Sequence, residues 1–412
     1  MSRSIGLGCL AFLAALAFLA AAPAPQYRHD TPILILVSFD GWRWDYIDRQ
    51  PVPNLKALAA RGVRARALIP SFPVLTYPNH YTIVTGLYPV HHGIVANTMR
   101  DASMPERFSM SAPTAHDPRW WGGEPLWVTA MRQGRRAATM FWPGSEAPIG
   151  GSLPTYWRAF DEKVPARDRA TQVLDWLALP AEERPSLVTL YFDEVDTAGH
   201  DFGPDSPQLA AAAAHLDAAL GALVAGVHTL ALDDRTSIVV ISDHGMTPTS
   251  YDRVIYLDAL IDMTTVDVLE SGSNLMLSPR DGDVDGLYRR LHGKHPKLAI
   301  YKREEVPARL HYRGNARIPA IVGVPADGWS ATSGQRLKTD ELHVGAHGYE
   351  PNTPNMGALF VAAGPTLRRG VVVAPFENIH LYDLLCRILK LTPAPNDGRA
   401  SVTRGFFRSP QP

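Results

Sequence analysis

The chain has 412 residues, of which 46% are hydrophobic and 20% charged, as expected for a globular protein with one large α/β domain or two smaller ones. The formal net charge is only −1, so no overall basic field attracts the protein to nucleic acid or to an acidic membrane surface. We therefore expect a small-molecule partner and no nucleic-acid duplex. An anionic substrate would have to be held locally, by metal ions or a few hydrogen-bond donors.

The first segment of the chain has the order of a secretory signal. Arg3 is its only charge, an apolar run covers 5–22, and small residues follow up to Ala24. We predict a signal peptide at 1–24, a periplasmic or secreted protein, and no stable membrane partner once the signal is cleaved. The alternative is an uncleaved anchor, because the run approaches the length that spans a bilayer.

The rest of the chain alternates between short apolar runs and helical patterns. The runs predict buried parallel strands at 33–39, 187–192, 238–242 and 358–362. Helical patterns lie near 54–61, 78–85, 171–178, 208–224 and 380–390, with Ser206 as the N-cap of the fourth. This alternation is typical of a doubly wound, mostly parallel α/β sheet flanked by helices.

Two segments interrupt or end this pattern. Residues 250–340 are mixed in character and lie between two groups of polar residues, so we expect a cap inserted into a catalytic domain at 30–395. Residues 396–412 are rich in Pro, Gly and Arg, and we expect this tail to fray.

Three of the four predicted strands end at acidic residues. Asp40 follows the first strand, Asp193 and Asp196 follow the second, and Asp243 follows the third. Ligands of such sheets bind at the carboxyl ends of the strands. The three carboxylates therefore indicate a binding site at one edge of the sheet.

Three histidines extend this set. His244 adjoins Asp243, His200 lies four residues after Asp196 and hence on the same face of a helical turn, and His347 follows much later. Each pair taken alone could be structural. Together with a hydroxyl, three carboxylates and three imidazoles exceed the needs of one ion and predict two metal sites. Nitrogen and oxygen donors without thiolates favour zinc, with manganese or iron as alternatives.

The hydroxyl is that of Thr76, just before a predicted helix whose N-terminus offers N–H groups to an anion. Simple N-capping is the local alternative for Thr76. We assign no catalytic role to His80, His91 and His92, and expect them to be structural.

The segment 72–97 reads FPVLTYPNHYTIVTGLYPVHHGIVAN. With Asp196-x-x-x-His200, Asp243-His244-Gly245 and His347-Gly348, the chain resembles the nucleotide pyrophosphatase/phosphodiesterase family of the alkaline phosphatase superfamily from about Ile33 to Leu391. The resemblance implies an alkaline phosphatase-like core with two zinc ions.

The resemblance also implies roles for individual residues. One ion would be held by Asp196, His200 and His347, and the other by Asp40, Asp243, His244 and the Thr76 oxygen. Thr76 would attack phosphorus and form a phospho-threonine ester, and Asn97 would donate to a phosphate oxygen.

The resemblance further implies a nucleotide substrate hydrolysed to a nucleoside 5′-monophosphate. Tyr77 would stack on the base, with Phe160 as a second ring, although Phe160 could equally be a core aromatic. A phosphomonoesterase is disfavoured by Thr76 and Asn97, and Arg100 is expected to be solvated rather than to clamp phosphate. A phospholipid or choline-phosphate diesterase remains an alternative, because the metal motifs do not separate these substrates.

Overall fold

The computed structural model describes residues 31–409, so the predicted signal peptide lies outside the described residues. An eight-stranded sheet forms the centre of the molecule. In spatial order its strands are Val371–Val373, Val63–Ala65, Phe360–Ala363, Thr236–Ile241, Ile33–Phe39, Leu187–Phe192, Ala137–Met140 and Tyr156–Trp157.

The sheet is mixed but mostly parallel, which confirms the predicted class. Ile33–Phe39 lies at its centre and runs parallel to both neighbours. The last predicted strand is a correction: Phe360–Ala363 pairs antiparallel with both of its neighbours. An apolar run indicates that a strand is buried but does not indicate whether it runs parallel or antiparallel to its neighbours.

Helices cover both faces of this sheet. Along Ile33–Phe39 the odd-numbered residues enter one hydrophobic cluster, whereas Leu34 and Leu36 enter the other. The first cluster is covered by the helices Pro53–Ala60, Ala166–Leu177 and Pro207–Thr229. The second cluster is covered by Thr76–Thr85, Leu126–Arg132 and Leu381–Leu389. This arrangement gives the two helical layers of a doubly wound fold.

The helix Pro207–Thr229 is the one helix among the described residues that is long and apolar enough to cross a membrane. It is a core helix of the sheet, because Leu209, Leu216, Leu220 and Leu223 are buried in the first cluster. Its N-terminus is capped as predicted, since the Ser206 hydroxyl accepts a hydrogen bond from the Leu209 N–H.

The segment expected to form a cap has a sheet and a core of its own. Its strands are Val266–Glu270, Leu275–Pro279, Ile321–Pro325 and Leu298–Lys302, all antiparallel, with the helix Val284–Leu291 packed on them. Leu275, Leu287 and Ile300 belong to a hydrophobic cluster separate from the two clusters of the central sheet.

Short elements complete the described chain. The remaining α-helices are Tyr46–Arg49, Pro89–His92, Glu194–Phe202 and Ala400–Thr403. Two-stranded pairings join Thr247–Pro248 with Gly345–Ala346, Val254–Tyr256 with Ser330–Thr332, Phe376–Glu377 with Leu68–Ile69, and Thr98–Met99 with Phe108–Ser109.

The tail does not fray over its described part. After Ala400–Thr403 the chain buries Phe406 against Phe360 and Phe376 at ring-centroid distances of 5.8 and 5.3 Å. The expectation of a frayed tail rested on its content of Pro, Gly and Arg. The aromatic contacts with the second cluster hold this part of the tail against the core.

Candidate metal and phosphate site

Three carboxylates converge at the carboxyl edge of the sheet. Because Phe39 is in register with Phe192 and Ser38 with Ile241, the chain leaves three adjacent strands at one level. Asp40 directly follows its strand, Asp243 comes two residues after the end of its strand, and each is only 1% exposed. Asp196 is the third residue of the helix Glu194–Phe202 and is partly buried.

Three imidazoles surround these carboxylates. His244 Nε2 lies 2.9 Å from Asp243 Oδ2 and 3.6 Å from Asp40 Oδ1. His200 Nε2 lies 3.4 Å from Asp196 Oδ2, as their four-residue spacing on a helix predicts, and His347 Nε2 lies 3.8 Å from Asp196 Oδ1. All six residues that the sequence predicted as Asp and His ligands are thus brought together.

The position of His347 could not be read from its immediate neighbours in the sequence. The pairing of Gly345–Ala346 with Thr247–Pro248 brings it beside His244, where the two rings stack at 3.5 Å. A short antiparallel pairing therefore connects residues about a hundred positions apart.

Backbone carbonyls orient each histidine. Nδ1 lies 2.8 Å from the Gly345 carbonyl in His200, 2.8 Å from the Val74 carbonyl in His347, and 3.0 Å from the Gly245 carbonyl in His244. A carbonyl can only accept, so each Nδ1 carries a proton and each Nε2 is the ring nitrogen that faces the carboxylates. This is the arrangement that holds metal-ligating histidines in proteins.

Several buried polar atoms of the site have no hydrogen-bond partner. This observation tests whether the residues of the site fit a metal ion. Asp40 Oδ1, Asp196 Oδ1, Asp243 Oδ2 and His244 Nε2 are buried and make no hydrogen bond. Buried polar groups are normally paired, and a cation is a partner that would satisfy these atoms. Triplets of donor atoms close enough to share an ion include Asp196, His200 and His347, and also Asp40, Asp196 and His244. The residues present therefore fit divalent metal ions.

The ionisation of the site agrees with this. Burial and the neighbouring Asp243 and Asp196 raise the pKa of Asp40 well above its usual range. Burial alone would also raise the pKa of Asp243, but His244 and His80 hold it well below its usual range. Burial, with His244 and His200 nearby, keeps the pKa of His347 well below 6.5. Carboxylates that repel one another and a neutral imidazole are suited to bind cations.

The start of a helix that reaches Asp243 through His80 carries Thr76 and contacts Asn97. Thr76 is the first residue of the helix Thr76–Thr85 and is partly buried. Asn97 Oδ1 accepts a hydrogen bond of 3.0 Å from the Tyr77 N–H. That bond fixes the amide of Asn97 and leaves its NH₂ group as the donor available to another ligand.

One neighbour of the site was not expected from the sequence. His80, which we took to be structural, is fully buried with Nδ1 3.4 Å from Asp243 Oδ2 and 2.9 Å from the Thr76 carbonyl. Its Nε2 lies 2.8 Å from the Ser38 hydroxyl. The signal available was its position four residues after Thr76, on the same helical face. His91 pairs with Asp397 and His92 with the Thr82 hydroxyl, so these two have the expected structural contacts.

An aromatic cavity of about 70 Å³ adjoins the carboxylates and is lined by both Tyr77 and Phe160. Phe160 is 48% exposed, so it is not a core aromatic. Its ring meets those of Phe141 and Tyr191 edge-on at 5.2 and 5.9 Å. Tyr191 also lines the cavity and donates a 2.6 Å hydrogen bond to Asp40 Oδ2, which connects the cavity with the carboxylates.

Arg100 is not directed at the site. Its guanidinium lies 3.2 Å from Asp267, in the segment expected to form a cap, and is more than half exposed, in agreement with a solvated residue. A phosphate clamp by this arginine is therefore not formed.

Comparison with known proteins agrees with this geometry. The family model of type I phosphodiesterase / nucleotide pyrophosphatase matches residues 34–350. A venom phosphodiesterase of Macrovipera lebetinus is 38% identical over 400 residues, which cover 95% of this chain and 47% of the venom protein. The chain thus spans about half the length of the venom phosphodiesterases it matches.

Another relative is matched over most of its length. Human ectonucleotide pyrophosphatase/phosphodiesterase family member 5 is 33% identical over 398 residues, covering 96% of this chain and 82% of the relative. A solved structure of the murine protein 5, an inactive threonine-to-alanine variant in complex with AMP, superposes with a TM-score of 0.87 at 35% identity. The match covers 92% of this chain and 100% of that structure and confirms the alkaline phosphatase-like core. The chain therefore belongs to the nucleotide pyrophosphatase/phosphodiesterase family of the alkaline phosphatase superfamily, as the motif at 72–97 led us to expect.

Proposed function

We propose that the protein is a two-zinc phosphodiesterase that hydrolyses nucleotide phosphodiester or phosphoanhydride bonds and releases a nucleoside 5′-monophosphate. The observation that carries this proposal is the set of unpartnered Asp and His atoms, connected through His80 to a threonine at a helix N-terminus. The family membership and the AMP complex of the murine relative support it.

Each of the two ions has its own donors in this proposal. Asp196, His200 and His347 would hold one ion, and the donor triplet formed by these residues supports that set. Asp40, Asp243, His244 and the Thr76 oxygen would hold the other. When bound, zinc ions supply positive charge that acidifies a hydroxyl or water and neutralises the phosphate oxygens. The donor set contains no thiolate and suits zinc best.

Thr76 is the proposed nucleophile. Its Oγ1 forms a bond to phosphorus while the bond from phosphorus to the leaving oxygen breaks, and the proton lost by the hydroxyl passes to solvent or to the leaving group. Water then attacks the phospho-threonine ester, which releases the monophosphate and restores the hydroxyl. The Asn97 NH₂ group, left available by the bond from the Tyr77 N–H, donates to a non-bridging phosphate oxygen. The inactivity of the threonine-to-alanine variant of the murine protein supports a threonine in this role.

The aromatic cavity supports a nucleotide substrate. Tyr77 and Phe160 line a space in which a base can lie against their rings. The Tyr77 hydroxyl donates to the Met110 carbonyl at 3.1 Å, which keeps the ring from swinging out of the cavity. Stacking accepts any base, so we expect both purine and pyrimidine nucleotides to be substrates.

A choline-phosphate diesterase remains a second candidate on one observation. The same cavity is lined by Phe141, Trp142 and the carboxylate of Glu146, and aromatic faces beside an acid also suit a trimethylammonium group. A phosphomonoesterase finds no such support, because Arg100 is engaged with Asp267.

An extracytoplasmic location is part of the proposal. It rests on the signal-like segment at 1–24 and on relatives named as venom and ectonucleotide enzymes. We propose a secreted or periplasmic protein.

Kinetics of Tyr77→Ala test the nucleotide assignment. Loss of base stacking should lower kcat/KM for a dinucleotide or a nucleoside triphosphate by about ten- to a hundredfold. A bis-nitrophenyl phosphate, which has no base, should lose much less. Equal losses on both substrates would contradict base stacking. A wild-type preference for a choline-phosphate ester over all nucleotides would favour the second candidate.

A further inference from the structure

The cap and the core enclose another cavity, which shares no lining residue with the aromatic one. Its volume is about 820 Å³, and the core contributes Asn97, His200 and His347 to its wall. The cap contributes most of the remaining wall, from 270–274 and 330–344. The cavity therefore begins at the candidate metal site and continues beneath the cap.

This position relates the cavity to the leaving group. The base of a nucleotide substrate would occupy the aromatic cavity, and its phosphorus would lie by Thr76 and Asn97. The leaving group then still needs a binding site. In-line displacement requires the leaving oxygen to lie opposite the attacking one. The cavity under the cap is the space next to His200 and His347 that can receive it.

The wall of this cavity is acidic. Its carboxylates are Asp201, Glu270, Asp340 and Glu341, and its single guanidinium is that of Arg336. Arg336 is already engaged, with Nε 3.4 Å from Asp340 Oδ2 and Nη1 donating to the Ser271 hydroxyl at 2.7 Å. Because carboxylates outnumber guanidinium groups in this wall, an additional anionic group placed under the cap, away from His200 and His347, would be repelled by excess negative charge.

A buried amide oxygen points to the kind of group that fits. Asn274 is 3% exposed, lines the cavity, and its Oδ1 has no hydrogen-bond partner. Glu270 lies four residues earlier, and its Oε1 accepts the Thr98 N–H at 3.1 Å, next to Asn97. An unpaired acceptor and a carboxylate both favour ligands that donate N–H or O–H bonds.

We infer that this cavity binds the leaving group, and that Glu270 and Asn274 select leaving groups with an uncharged, donor-bearing distal part over those ending in free phosphate. A nucleoside-bearing leaving group, as in a dinucleotide, belongs to the first class, and the pyrophosphate of a nucleoside triphosphate belongs to the second. The inference rests on the proposed function and names the substrate class that this chain prefers.

The test compares three substrates of the holoenzyme that share one 5′-nucleotide: a dinucleotide, the nucleoside triphosphate and the nitrophenyl ester. Burial raises the pKa of Glu270 to about 7 against the opposing effects of Arg336 and Arg107, so assays are run at about pH 8.5, where the carboxylate is charged. We expect the wild-type enzyme to favour the dinucleotide over the triphosphate in kcat/KM by about tenfold or more.

Glu270→Gln keeps an acceptor for the Thr98 N–H but removes the charge. We expect this variant to reduce the ratio of kcat/KM for the dinucleotide to that for the triphosphate by roughly three- to tenfold, mainly through a lower KM for the triphosphate. Its kcat/KM for the nitrophenyl ester should be nearly unchanged. Added salt should narrow the wild-type preference in the same direction, which a purely structural role of Glu270 would not produce. Asn274→Ala should lower kcat/KM for the dinucleotide and leave kcat/KM for the other two substrates unchanged.

The matched control is Asp285→Asn, which removes a cap carboxylate that pairs with Lys302 and does not line the cavity. It should leave the preference unchanged. Two results would overturn the inference while leaving the proposed function in place. One is an equal kcat/KM of the wild-type enzyme for the dinucleotide and the triphosphate, and the other is an equal change of both kcat/KM values in Glu270→Gln. Absence of turnover of all three substrates would instead contradict the proposed function, and the inference with it.

Discussion

At the scale of single residues, the proposed chemistry depends most on Thr76. Its side chain is partly buried at the first position of a helix whose N-cap, Leu75, makes no side-chain hydrogen bond. Thr76→Ala should therefore cost little stability but lower kcat by roughly a thousandfold or more, because the attacking oxygen is removed. Thr76→Ser should retain measurable turnover. Steady-state kinetics with a thermal melt of each variant check this, and near wild-type turnover by the alanine variant would exclude Thr76 as nucleophile.

His92 gives a residue-scale prediction about pH. Burial lowers its pKa to about 3 from an ordinary value of 6.5, and it is held between the Thr82 hydroxyl and the Ile94 N–H. Between these two values the unfolded chain binds a proton that the folded protein does not, so His92 makes stability fall as pH drops below about 6.5.

Replacing His92 by glutamine should therefore flatten the acid side of the stability curve, even if the variant is less stable at neutral pH. Urea unfolding at about pH 7 and about pH 4.5 measures the difference. The exposed His292→Gln change serves as control. Identical acid sensitivity of His92→Gln and the wild type would show that protonation of His92 does not contribute.

At the scale of elements, the helix Pro207–Thr229 shows how a local signal stabilises a core layer. Ser206 caps it through the Leu209 N–H at 3.1 Å, and Pro207 occupies its first turn without losing a helical bond. Ser206→Ala should cost about 1 kcal/mol of unfolding free energy, since an N–H at the helix start loses its acceptor. Urea denaturation checks this against Ser152→Ala, an exposed serine that should change stability by less than about 0.5 kcal/mol. Equal effects of the two changes would mean that the cap is not stabilising.

At the scale of the whole molecule, bound metal ions should connect the ends of three strands of the central sheet with the segment 345–347. Elemental analysis of protein purified without chelator should find about two zinc equivalents per chain. Chelation should abolish turnover and lower the melting temperature, because Asp40, Asp196 and Asp243 are then left to repel one another in a buried site. Calorimetry with and without added zinc measures the shift. A single equivalent with full activity, or an unchanged melting temperature after complete chelation, would contradict two bound ions.

Much of the architecture around the site could be predicted from the sequence because its signals are local. Strands buried on both faces are continuous apolar runs, so Ile33–Phe39 and Leu187–Phe192 were predicted with their observed bounds. Acidic residues directly after such runs must lie at the carboxyl edge of the sheet, and a four-residue spacing places Asp196 and His200 on one helical face. The Ser206 cap is equally local.

Other features depend on contacts between distant parts of the chain, and only the tertiary structure decided them. The antiparallel direction of Phe360–Ala363 and the entry of Ala137–Met140 into the sheet depend on which strands become neighbours. His80 comes to face Asp243 only because a helix packs against a distant strand end, and Asn274 lines a cavity only because the segment 250–340 packs against the core. Local apolarity and spacing encode burial and period, whereas direction, pairing and the surroundings of a polar side chain are set by long-range packing.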